Sequence, residues 1–208
     1  PKAFEQILEE IKGTEQERVI ANLLLRTLKV ARYEAENRGH FGIASKYYCH
    51  FTSPIRRYPD LFIHRIISIY LEEDYNVTDH FKEKFETRAI KYAERSSECE
   101  QIATKAERES EAMKKAEFMQ ERVGKQYEGI ISSVTNFGMF VELSNTVEGL
   151  IRFESLDDDY YIYDEGRKEL VGKHSGKIYK LGDKVRIEVV AADKETRKID
   201  FKIASKKE

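Results

Sequence analysis

The sequence predicts an α+β protein in two parts, a mostly helical segment over residues 1–122 and a small five-stranded β-barrel over residues 123–208. Three observations predict it. Three of the eleven glycines (Gly13, Gly39 and Gly42) fall before residue 123 and the other eight after it; glycine is costly inside a helix and useful in the tight turns of a barrel. The apolar spacing changes at the same place, from every third or fourth residue to short runs rich in Val and Ile. Charged residues make up 36% of the 208 residues, above the roughly 25% usual for globular proteins, which fits long solvated helices. Aromatic residues at 11% are too many for an uncollapsed chain.

Taken in order, Phe4, Ile7, Leu8 and Ile11 recur at helical spacing and predict a first helix. Val19 to Tyr33, built around Leu23, Leu24 and Leu28, predicts a second, with Asn37-Arg38-Gly39 as its glycine cap. Residues 40–52 read as extended or irregular chain. Pro59 sits where a proline can open a helix, and Leu61, Phe62, Ile66, Ile69 and Tyr70 give that third helix one apolar face. Thr78 is expected to start a fourth, with Phe81, Phe85, Ala89 and Tyr92 on its buried side. Ser97 followed by Glu100 has the spacing of a capping box and predicts a separate fifth helix running towards Arg122, closed by Gly124. Its charges read most simply as a solvated face.

In the second part, Tyr127–Val134, Met139–Leu143, Glu148–Ile151, Lys184–Ala191 and Lys198–Ile203 are rich in β-branched residues and separated by glycine or charged turns. Five short strands in about 85 residues fit an OB-type barrel, a fold that often binds single-stranded nucleic acid.

Several function classes fall away. The formal net charge of −2 excludes a histone-like polycation but not a local basic face. No run of about 18 apolar residues offers a membrane span, and the first residues lack the hydrophobic segment of a secretory signal. Cys49 and Cys99 form no CxxC pair and read as reduced thiols of a cytoplasmic protein. The chain opens at Pro1 rather than an initiator Met, which leads us to expect a piece of a longer protein.

The most informative segment runs from Gly39 to Arg65, GHFGIASKYYCHFTSPIRRYPDLFIHR. Thr52 and Ser53 supply hydroxyls, Pro54 stiffens a turn, and Arg56 and Arg57 present planar guanidinium forks just ahead of a helix N-terminus. Together they can make a phosphate site. Alternatively, the two arginines pair with acidic residues of neighbouring helices.

The run HFTSPIRRYPDL at His50–Leu61, followed by His64-Arg65, closely resembles a signature near the end of the catalytic domain of the ribonuclease II / ribonuclease R family. Gly39-His40-Phe41-Gly42 is similar to the ribonuclease R branch. The resemblance implies an enzyme that degrades RNA processively from the 3′ end, releasing nucleoside 5′-monophosphates by magnesium-dependent hydrolysis. It implies Arg56 as the catalytic contact to the scissile phosphate, and Arg57 as a structural or RNA-backbone residue. It also implies upstream catalytic and cold-shock-type domains in the parent chain. The family holds its metal through an aspartate cluster upstream of this signature. Asp157-Asp158-Asp159 lies in the wrong order for that role, so the chain looks like the C-terminal portion of such an enzyme and no metal ligands are expected in it.

In the barrel, Thr135-Asn136-Phe137-Gly138-Met139-Phe140-Val141-Glu142, then Glu148-Gly149-Leu150-Ile151-Arg152 and Leu181-Gly182-Asp183-Lys184-Val185, are similar in order to the S1 RNA-binding domain. Phe137 and Phe140 offer flat surfaces on which unpaired bases can stack. Alternatively, one of them fills the barrel core. Arg152 stands where that family usually has a histidine, and can both stack and hold phosphate. A long insertion from Asp157 to Lys180 resembles the ribonuclease R version of the module, in which Tyr160, Tyr161 and Tyr163 start an extra hairpin. RNA contact and packing against the barrel stay open for these tyrosines. Lys173, Lys177 and Lys180, with His174, add positive charge that could track an RNA backbone.

The five histidines (His40, His50, His64, His80, His174) show no zinc-site spacing and read as structural. The expectation is therefore part of a 3′-to-5′ exoribonuclease with single-stranded RNA as partner and no membrane association. A stand-alone RNA-binding module is the alternative, and an interaction protein that recruits a partner through its charged helices is a third reading.

Overall fold

The structure, a computed structural model, describes residues 2–14, 17–28, 30–40 and 42–204. Phe41 of the GHFG run and Pro1 lie outside the described residues, as does Lys29, which the predicted second helix would cross. Four helices come first: α1 (Lys2–Ile11), α2 (Glu17–Thr27), α3 (Tyr58–Glu72) and α4 (Asp79–Gln120). Eight strands follow: β1 (Gln126–Val134), β2 (Gly138–Leu143), β3 (Glu148–Arg152), β4 (Tyr161–Asp164), β5 (Glu169–Gly172), β6 (Ile178–Tyr179), β7 (Lys184–Asp193) and β8 (Lys198–Ile203). No helix is long and apolar enough to cross a membrane among the described residues.

The chain divides into two compact units, one comprising Pro1–Ala3 and Lys29–Ala106, the other Phe4–Leu28 and Glu107–Glu208. The division falls inside α4, whereas the glycine-poor and glycine-rich parts of the sequence meet near Gly124.

In the first unit, α3 starts as its proline dictates: Pro59 sits in the first turn, where a missing N–H costs no hydrogen bond. Phe62, Phe81 and Phe85 form a buried cluster with Ile66, Ile69, Tyr70, Ala89 and Tyr92 packed against it. Thr78 caps α4, its hydroxyl accepting the Phe81 N–H at 3.1 Å.

Three sequence expectations are corrected here. The fourth and fifth helices are one: α4 runs unbroken through Ser97, because no Gly or Pro interrupts residues 79–120. Ser97 is not a cap; its hydroxyl donates back to the Ala93 carbonyl at 2.9 Å and accepts the Tyr33 N–H at 2.9 Å. The second helix ends at Thr27 rather than Tyr33, since the chain around Tyr33 is spent on that contact with α4. Gly39 is accordingly no helix cap: its φ of 69° belongs to a loop in which His40 bridges Ser45.

In the second unit, the closed barrel has the order β1-β2-β3-β8-β7, antiparallel except for the β3–β8 pair. All five barrel strands lie within two residues of the predicted runs. Ile131, Met139, Val141, Ile151 and Ile187 are fully buried, each contributing roughly 1.5–3 kcal/mol of apolar burial. The last turn of α4 joins this core through Ala116 and Met119. Gly124, at φ 82°, turns the chain into the barrel and donates its N–H to the Val189 carbonyl at 2.8 Å. The predicted hairpin in the insertion is a three-stranded sheet of order β4-β5-β6, whose Tyr161, Leu170 and Tyr179 join the barrel core.

Candidate nucleic-acid interface

The first unit builds one candidate site from the turn ahead of α3. The N–H groups of Arg56 and Arg57 both donate to the Ser53 carbonyl, at 3.2 and 3.0 Å. Asp60 locks that turn from within α3. It is fully buried, and its Oδ2 accepts the Ser53 N–H at 2.7 Å and Arg57 Nη2 at 2.8 Å. Burial pushes the Asp60 carboxyl up, but the hydrogen bonds from Arg57 and Ser53 outweigh it, and the net shift is downward. A carboxylate therefore already answers the positive end of α3, and it is Arg57, not Arg56, that this carboxylate holds.

Arg56 is exposed and, among the described residues, has no carboxylate within 4.0 Å. It lines a cleft of about 440 Å³ with Tyr33, Tyr58, Tyr92, Arg95, Cys99 and Glu100. Sequence reasoning missed most of this wall. Glu100 has the capping-box spacing from Ser97, but in the unbroken α4 it lines the cleft. Arg95 is neutralised by Glu98 at 3.0 Å, so Arg56 is the freer guanidinium.

The histidines of the signature have structural partners. His64 stacks on Phe51 with centroids 4.1 Å apart, and its Nε2 lies 2.8 Å from the Phe51 carbonyl. His50 meets Tyr33 and Tyr48 edge-on at 5.4 and 5.3 Å; burial, and then Arg57, lower its pKa.

The second unit builds a separate candidate site on the barrel. β2 and β3 pair Gly138 with Arg152 and Phe140 with Leu150, and Leu150 pairs with Asp200 of β8. Because side chains alternate along a strand, Met139, Ile151 and Phe201 fill the core while Phe140, Arg152 and Asp200 share the outer face. Glycine is required at 138: a Cβ there would lie 2.4 Å from the Ile151 carbonyl oxygen. Phe137, in the β1–β2 turn, is 52% exposed, and its ring meets that of half-buried Phe140 edge-on at 6.1 Å. Arg152 Nη2 lies 3.6 Å from Asp200 Oδ1, so Asp200, absent from the sequence reading, partly answers the charge that would face a phosphate.

The structure separates the three lysines of the insertion. Lys177 is held, with its ammonium 3.0 Å from Asp158 and 4.7 Å from the Tyr179 ring centroid. Lys173 lies 5.9 Å from the Tyr160 ring centroid. Lys180 is exposed, and its backbone N–H is held by Asp183 at 2.9 Å. The tyrosines divide similarly: Tyr161 is buried with its hydroxyl on Asp158 at 3.1 Å, Tyr163 packs against the core, and Tyr160 is exposed.

Residues 1–73 match the RNB domain family and residues 120–204 the S1 RNA binding domain family. Ribonuclease R 1 of Lactococcus lactis is 48% identical over 96% of this chain and 24% of its own length. Ribonuclease R of Thermotoga maritima is 42% identical over 100% and 29%, and that of Escherichia coli 40% over 99% and 26%. The chain thus spans about a quarter to three tenths of these relatives. Two structures of Mycoplasma genitalium RNase R, the apo form and a complex with ribose methylated single-stranded RNA, each superpose with a TM-score of 0.87. Both are 31% identical over 95% of this chain and 31% of the other.

Proposed function

The chain belongs to the ribonuclease R branch of the RNB exoribonuclease family, and from that premise we propose that it is the part of a 3′-to-5′ exoribonuclease that grips single-stranded RNA. Arg56 touches the scissile phosphate, and Phe137, Phe140 and Arg152 hold unpaired bases and backbone further along. The observation that carries this reading is the division of labour between adjacent arginines. Arg57 is tied to buried Asp60, while Arg56 is left with its five donors on an aromatic-lined cleft. Tyr33, Tyr58 and Tyr92 suit a nucleoside in that cleft, and Glu100 can accept hydrogen bonds from ribose hydroxyls.

In the parent enzyme magnesium would activate the attacking water and the products would be nucleoside 5′-monophosphates released in the cytoplasm. Among the described residues no three or more of His, Cys, Asp and Glu gather as a metal site. The ion's ligands, in this reading, are aspartates of the upstream catalytic domain. What Arg56 contributes is a fixed positive charge where the phosphate's negative charge grows in the transition state.

The test is to incubate the chain with end-labelled single-stranded RNA and Mg²⁺. Retention of the RNA without release of mononucleotides is the expected result. Processive mononucleotide release by a contaminant-free sample would overturn the assignment of the metal ligands, and absence of RNA binding would overturn the grip.

A further inference from the structure

We propose that the outer face of the β4–β5–β6 sheet is a second single-stranded RNA contact, in which the Tyr160 ring stacks a base and the Lys173 ammonium holds the adjoining phosphate. This rests on the reading above that the chain binds RNA, and adds a site away from the Phe137–Phe140 pair.

Tyr160 is the tyrosine of the insertion that packing leaves free. The residue is 67% exposed, against 9% for Tyr161. Lys173 is its partner, 5.9 Å from the ring centroid, and among the described residues has no carboxylate within ion-pairing distance. Lys177, four residues on, is spent on Asp158. An exposed ring beside an unneutralised cation is the pairing by which single-stranded nucleic acid is held without regard to sequence.

The backbone that carries the pair is tied down before any ligand arrives. The Lys173 N–H donates to the Tyr160 carbonyl at 2.8 Å, and the Tyr160 N–H to Asp159 Oδ1 at 2.7 Å. Asp159, whose side chain is 2% exposed, also accepts the Ser175 N–H and hydroxyl, both at 2.6 Å, and lies 2.8 Å from His174 Nδ1. A backbone ordered in advance loses less entropy on binding. Beside it, Ile162, Val171 and Ile178 stand opposite one another across the three strands. Ile162 and Ile178 are 50% and 47% exposed, a flat apolar strip along which a stacked base and its sugar can lie.

The test is a fluorescence-anisotropy titration of the full chain with labelled oligouridylates of about 4 and about 20 nucleotides, bracketing one barrel's footprint of about 4–16. Tyr160→Ala should weaken the long oligomer roughly fivefold or more. Tyr160→Phe should preserve its affinity, Lys173→Ala should weaken it and flatten its salt dependence, and the short oligomer should bind each variant as it binds wild type. The proposal is overturned if Tyr160→Ala, folded by circular dichroism, binds the long oligomer as wild type while Phe137→Ala does not. It is overturned together with the RNA reading itself if neither length binds the wild-type chain. Loss of self-association in Tyr160→Ala at unchanged RNA affinity would overturn it in favour of a protein-docking strip.

Discussion

Arg57 donates through Nη2 to the Oδ2 of Asp60 at 2.8 Å, three residues later, and that carboxylate exposes none of its surface. The same oxygen takes the Ser53 N–H, so one buried atom ties the start of the SPIRR turn to its end. The tie fixes the backbone from which Arg56 projects. A salt bridge of this kind serves geometry more than net stability, because desolvating both ions consumes most of the attraction.

Removing half of such a pair is costly. Asp60→Ala should destabilise the chain by about 3–5 kcal/mol, since it strands a largely buried guanidinium, read as a lower denaturant midpoint. The acid response follows from the sign of the shift. The folded state holds the Asp60 proton less tightly than the unfolded state, so its contribution is full above the ordinary aspartate value of about 3.9 and is lost as pH falls below it. Wild type should lose stability in that window more steeply than Asp60→Asn. Parallel slopes would remove Asp60 as the lock.

Phe137→Ala should weaken binding of single-stranded RNA by roughly 1–3 kcal/mol with the fold intact, because a ring 52% exposed contributes little to the core. Equilibrium titration with short oligoribonucleotides checks the first half and circular dichroism the second. An unchanged affinity in a folded variant takes Phe137 out of the platform.

Asp200→Asn should tighten RNA binding about two- to fivefold, roughly 0.5–1 kcal/mol, the usual worth of an exposed ion pair. The substitution releases Arg152 from a carboxylate 3.6 Å away and removes a negative charge from the outer face of the barrel. The part of the gain that comes from releasing Arg152 should vanish in an Arg152→Ala background. Residues 123–208 carry 15 Lys and Arg against 16 Asp and Glu, so binding has to rely on stacking and a few local cations, and its salt dependence in the wild-type chain should be shallow.

The barrel was legible because its strands alternate core residues such as Met139, Val141 and Ile151 with half-buried or exposed ones, and a period of two is read directly from a sequence. The RNB signature was legible as a run of residue types in order. What escaped depended on distance along the chain. Ser97 and Glu100 satisfy the local pattern of a capping box, and nothing local says that Ser97 instead receives an N–H from Tyr33, 64 residues earlier. Glu100 and Arg95 reach the Arg56 cleft through the same tertiary arrangement. Asp200 meets Arg152 through a parallel pairing of β3 with β8, which strand periodicity does not encode. The division of Arg56 from Arg57 required seeing which of two identical neighbours reaches Asp60.

The most direct measurement is single-turnover hydrolysis of labelled single-stranded RNA by the full-length protein that carries this chain, with the RNA dissociation constant measured in parallel. Arg56→Ala should slow the chemical step by roughly a hundred- to a thousandfold, about 2.7–4 kcal/mol of transition-state stabilisation, while affinity changes far less. Arg57→Ala should show its main effect in thermal stability. A rate unchanged in Arg56→Ala, or a rate loss no larger than the affinity loss, would contradict the assignment of Arg56 to the scissile phosphate.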